Sequence, residues 1–200
     1  MLRSLRIENF RCFRTFELQQ LGRLNLLVGT NNSGKTSILE AVQLLTSSSN
    51  LESFWEVIIG RGEYVVNDER NISRELDVRH LFYGREIDLG SKFSILGDNH
   101  GNREGVSVSI GYAEWTPKQI KQFRRLRKRD FESPQQIALI IEWSGQENER
   151  IDLPLSSVNG LHFDYVQRVY RDSNHIRKDS IDLEKRTQFI TSSSLEREND

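Results

Sequence analysis

Eight residues, Gly29-Thr30-Asn31-Asn32-Ser33-Gly34-Lys35-Thr36, constrain this chain more than any other stretch, because they fit the pattern G-x-x-x-x-G-K-[ST]. The spacing has a chemical reason. Successive backbone N–H groups must curl around phosphate oxygens, and side chains at Gly29 and Gly34 would block the approach or the backbone angles it needs. Lys35 is then placed to reach the β- and γ-phosphates, and Thr36 offers its hydroxyl to Mg²⁺. The helix that follows adds the positive end of its dipole, and Ser37 adds a contact to the α-phosphate. Asn31 and Asn32 suit a tight loop, since asparagine tolerates left-handed backbone angles, and Ser33 completes the binding set. A chance match in a chain of this composition has a probability of roughly 0.5%.

The surroundings predict strand, loop, helix. Leu2, Leu5 and Ile7 alternate with polar residues, Thr15 to Leu18 extends the pattern, and Leu24 to Val28 is a short apolar run that predicts a buried strand entering the loop. Past Lys35 the period changes: Ile38, Leu39, Val42, Leu44 and Leu45 recur at helical spacing until Ser47-Ser48-Ser49-Asn50. A second short helix is expected around Phe54, Trp55, Val57 and Ile58, whereas Asn67 to Arg79 has no clear period. Strands are predicted over Phe93 to Ile95, Val106 to Tyr112, Ile137 to Trp143 and Ile151 to Leu155, and a helix over Lys118 to Asp130 beginning at Thr116-Pro117. The expected class is α/β.

Composition bounds the rest. Two hundred residues, 36% of them hydrophobic, are enough for a packed core, and a net charge of -1 gives no global pull toward nucleic acid or membrane. The single cysteine, Cys12, excludes an internal disulfide and reads as a small buried hydrophobe. The four histidines, His80, His100, His162 and His175, lack metal-ligand spacing. No apolar run is long enough to span a bilayer, and the first residues do not form a signal-peptide core, so a cytoplasmic protein without a membrane partner is the expectation.

The segments flanking the loop resemble a known family. The run Leu2 to Phe13, with Asn9-Phe10-Arg11, then Thr15 to Leu18, Leu24 to Gly29, and Asn32-Ser33-Gly34-Lys35-Thr36-Ser37-Ile38-Leu39-Glu40-Ala41 resembles the ABC-type AAA ATPases of the RecF, SMC and OLD group. The match is close over about the first 45 residues. The resemblance implies a P-loop NTPase of ABC-ATPase type, a mixed sheet with a flanking antiparallel β-subdomain. On it, residues 1–200 form an N-terminal ATP-binding lobe, with strands, loop and first helix in 1–50 and β-rich and helical insertions in 51–200. It also implies ATP and Mg²⁺ as cofactors, Arg11 as a phosphate or base contact, and a nucleotide-dependent homodimer or complementing subunit.

Family members complete the site with a Gln loop, a Ser-Gly signature, an apolar strand ending in Asp-Glu, and a switch histidine. None of these is recognisable here: Asn67-Asp68-Glu69 follows too soon after the loop, and Trp143-Ser144-Gly145 reads as a turn. The expectation is therefore an ATPase component whose hydrolysis needs a C-terminal half or a partner subunit, in DNA repair or phage defence, the isolated chain being weak or inactive. The alternative is a non-hydrolysing, nucleotide-dependent interaction module. Its surface would include the basic run Lys118, Lys121, Arg124, Arg125, Arg127, Lys128 and Arg129, a candidate patch for nucleic acid or a partner.

Overall fold

Among the described residues, α-helices follow the helical period after Lys35 and around Phe54 to Ile58, and strands follow the alternation in Leu5 to Ile7 and Val106 to Tyr112. The computed structural model describes residues 1–47, 51–66, 74–115, 135–145, 148–156 and 160–162. Strand β1 (Ser4–Phe10) turns tightly at Arg11-Cys12 into β2 (Phe13–Leu18). Helix α1 (Lys35–Thr46) follows the glycine loop, and α2 (Leu51–Ile59) comes next. Two short strands, β3 (Tyr64–Val66) and β4 (Arg74–Asp77), lead through 3-10 turns at Val78–Leu81 and Tyr83–Arg85 to the long strands. These are β5 (Lys92–Asn99), β6 (Asn102–Glu114), β7 (Gln135–Ser144) and β8 (Glu149–Pro154), followed by β9 (Gly160–His162). The expected helix and basic run over Lys118 to Arg129, and the polar tail, lie outside the described residues.

Six strands form one sheet in the order β2-β1-β5-β6-β7-β8, and β3-β4-β9 form a second. Every described pair is antiparallel. In β6 and β7 the register sets Val106, Val108 and Ile110 opposite Trp143, Ile141 and Leu139, so these six buried residues share one face, while Ala113, Ala138 and Ile140 are buried on the other. Leu5 and Ile7 of β1 with Phe93 and Ile95 of β5 continue the face of those six, and all four are fully buried. Helix α1 covers it with Ile38, Ala41, Leu44 and Leu45, while α2 adds Leu51, Phe54, Trp55 and Ile58 to the same core. The helix lies close over β5: a Cβ at Gly97 would stand 2.6 Å from a Leu45 methyl. A side chain there would force the ends of Leu45 and Leu2 to shift.

Two expectations fail. Leu24 to Val28 forms no strand, and Leu24, Leu26 and Val28 are 91%, 86% and 83% exposed. A strand entering a phosphate loop is buried only when neighbours pair with both its edges, and no described strand lies beside it. The same gap removes the parallel part of the expected mixed sheet. Among the described residues only the antiparallel portion is built. Cys12 is exposed, not buried, because it occupies the β1-β2 turn and its sulfur faces the loop instead of the core.

Candidate phosphate site

The loop holds its shape through its own lysine. Lys35 Nζ donates to the carbonyls of Gly29 at 2.8 Å and Thr30 at 2.7 Å, and lies 3.5 Å from Ser33 Oγ. The ammonium therefore ties the first residues of the loop to the first residue of α1. Asn32 and Gly34 take left-handed angles, φ 63° and 88°, as the loop requires. At Gly34 space demands glycine as well, because a Cβ would lie 2.5 Å from the Phe13 ring and 2.9 Å from Cys12 Sγ. The β1-β2 turn is thus the wall against which the loop is pressed.

Gly34 is the N-cap of α1 and supplies no side-chain cap, and the first turn contains no acid. Amide donors at the start of this helix are left for an outside acceptor, and no carboxylate repels one. The first helical bond runs from Ile38 N to Gly34 O at 3.0 Å. Thr36 is exposed and Ser37 is buried. Gly29, Asn31, Asn32, Ser33, Gly34, Lys35, Thr36 and Ser37 are gathered in one loop and one helical turn. Its donors, its lysine and the exposed Thr36 hydroxyl suit a magnesium-bound polyphosphate.

Arg11 is placed differently from the expected phosphate contact. Its side chain is 4% exposed, and Nε donates to Glu40 at 3.1 Å. Nη1 pairs with Glu63 and donates to the His80 carbonyl, and Nη2 donates to the Val57 carbonyl, both carbonyls at 3.1 Å. Four of its donor contacts thereby go to the protein, and the guanidinium ties α1 to the end of α2 and to the 3-10 turn. A phosphate contact from Arg11 would have to break that network.

Arg61 is the residue that the sequence reading missed. It donates from Nε to Glu40 at 2.6 Å and from Nη2 to Ser37 Oγ at 3.2 Å, with a side chain 36% exposed. The available signal was Gly60-Arg61-Gly62 directly after the apolar helix, a glycine-bounded helix stop. No described group of His, Cys, Asp and Glu is arranged to hold a metal by itself, and no described helix is long and apolar enough to cross a membrane.

Comparison with known proteins agrees with this geometry. The AAA ATPase domain family matches residues 1–198. An uncharacterized protein of Methanocaldococcus jannaschii, MJECL10, is 24% identical over 92% of this chain and 84% of its own length. The DNA replication and repair protein RecF of Clostridioides difficile is 22% identical over 82% of this chain, and that of Lactococcus lactis subsp. cremoris 30% identical over 55%. The matched part is 40% of the first RecF protein and 30% of the second. A lysine-closed phosphate loop at the head of α1, with a family match across nearly the whole chain, shows that the chain belongs to the AAA ATPase domain family, in its RecF/SMC/OLD-like branch.

Proposed function

We propose that this chain is the ATP-holding lobe of an ABC-type ATPase, with Mg-ATP seated at Gly29 to Ser37. The carrying observation is the loop itself: Lys35 is held 2.7 to 2.8 Å from the Gly29 and Thr30 carbonyls, at the mouth of an uncapped helix. On this reading Lys35 meets the β- and γ-phosphates, the first-turn amides meet the phosphate oxygens, and the Thr36 hydroxyl holds magnesium. The metal, when bound, neutralises phosphate charge during transfer. Catalysis of this kind is positioning plus electrostatics, and an acid that orients water is still required.

That acid, and a group that covers the γ-phosphate, come on this proposal from further chain or from a second subunit in a nucleotide-dependent dimer. The exposed row Leu24, Leu26 and Val28 directly before the loop supports this, since it is an apolar patch beside the site with no described element covering it. Two relatives are named for DNA replication and repair, which supports a DNA-linked setting over phage defence. The test is ATP affinity by titration calorimetry with and without Mg²⁺, with sedimentation on either side of nucleotide addition. Lys35→Ala is expected to weaken ATP binding about a hundredfold, the loss of a charge-assisted contact to phosphate. Unchanged affinity in that variant would place the nucleotide elsewhere.

A further inference from the structure

One side chain from the end of α2 reaches the first turn of α1. The helix stops where Gly60 N donates to the Glu56 carbonyl at 2.8 Å, and Gly62, at φ 68°, reverses the chain. Arg61 lies between them and meets α1. Its Nε donates to Glu40 Oε1 at 2.6 Å and its Nη2 to Glu40 Oε2 at 3.0 Å, a two-pronged pairing that fixes the guanidinium plane. The same Nη2 donates to Ser37 Oγ at 3.2 Å. Cys12 Sγ stands 3.9 Å from that oxygen as a weak donor.

A hydroxyl has two acceptor sites and one proton. With Arg61 and Cys12 both donating to Ser37 Oγ, the Ser37 proton is left to be given to something else. Ser37 directly follows Lys35-Thr36, so an anion held by the loop is the acceptor within its neighbourhood. Arg11 alone meets two carboxylates, Glu40 and Glu63, so Arg61 supplies the second positive charge of this cluster. Its bond to the uncharged Ser37 hydroxyl is a task beyond that charge balance.

We infer that Arg61 is a positioning residue of the nucleotide site, holding Ser37 as a hydrogen-bond donor to the α-phosphate and fixing the first turn of α1. The C-terminal turn of α2 is then part of the phosphate cradle. The inference rests on the reading of Gly29 to Ser37 as the ATP site. ATP and ADP affinities are to be measured by calorimetry for the wild type, Arg61→Ala, Ser37→Ala and the double variant. Each single variant is expected to lose about tenfold toward both nucleotides alike, because the α-phosphate is common to them. The double variant should lose no more than the weaker-binding single one.

Arg61→Lys keeps the charge without the fork and should recover only part of the loss. Nucleotide-free Arg61→Ala should melt below wild type, since Glu40 is only 9% exposed, whereas Arg61→Lys should melt close to wild type and still bind less tightly. Wild-type affinity in Arg61→Ala, a loss confined to ATP, or losses that multiply in the double variant would overturn the inference. If the wild type binds no ATP, the site reading falls and takes this with it. If the wild type binds and Arg61→Ala binds equally, only the role of Arg61 falls.

Discussion

Arg11 shows how much a single residue's role depends on what the fold brings to it. Its neighbours in sequence suggest a phosphate contact, yet the fold sets Glu40, 29 residues away, and Glu63, 52 residues away, against its guanidinium. Both carboxylates have side chains only 9% exposed. Removing one partner of such a network leaves buried charge uncompensated, which costs more than the pair itself contributes. Arg11→Ala is expected to destabilise the chain by about 3 to 5 kcal/mol in urea denaturation. A loss below 1 kcal/mol, with weakened ATP binding instead, would restore the role of phosphate contact. Gly34 is the opposite case. Its type is dictated locally by a left-handed φ of 88°, so the motif alone identifies it, and the crowding by Phe13 and Cys12 adds a second reason from the fold.

Among elements, the 3-10 turn at Val78–Leu81 joins the small sheet to the site. Asp77, the last residue of β4, caps it: Oδ1 accepts from Arg79 N at 3.1 Å and Nε at 2.9 Å, and Oδ2 from Nη2 at 2.7 Å. Beyond the turn, the Leu81 carbonyl accepts Arg11 N at 2.9 Å, so the cap also steadies the β1-β2 turn that walls the loop. Burial alone would raise the Asp77 carboxyl. The hydrogen bonds from Arg79, with the charges of Arg79 and His80, outweigh it and hold the group below its ordinary value. A carboxyl depressed in the folded state stabilises fully above its unfolded value, about 3.9, and that stability drains as pH falls through the lower folded value. Asp77→Ala should therefore be less stable by about 1 kcal/mol at neutral pH. Its urea midpoint should also fall less steeply than that of the wild type below about pH 4. Parallel pH curves for the two proteins would show that Asp77 contributes no such term. No periodicity over Asn67 to Arg79 announces this turn, because a capped 3-10 segment has too few residues to show one.

For the whole molecule, the central contrast lies between a finished antiparallel sheet and an apolar run left on its surface. Leu24 and Leu26 are nearly fully exposed, so Leu26→Asp should leave the unfolding free energy of this chain within about 0.5 kcal/mol of wild type. In an ATPase completed by further chain or a partner, the same substitution should impair assembly, read as lost nucleotide-dependent association in sedimentation. A large destabilisation of this chain would mean that Leu26 is buried after all. The sequence by itself determined the glycine loop, α1, α2 and the strands β5 to β7, because each depends on bond geometry or on a pattern only a few residues long. The tertiary structure alone decided the antiparallel order β2-β1-β5-β6-β7-β8, the burial of Arg11, the exposure of Cys12 and the reach of Arg61 to Ser37. Each of these depends on partners far along the chain, and burial belongs to a residue together with whatever covers it. Leu24 to Val28 has the composition of a core strand without a described neighbour to make it one.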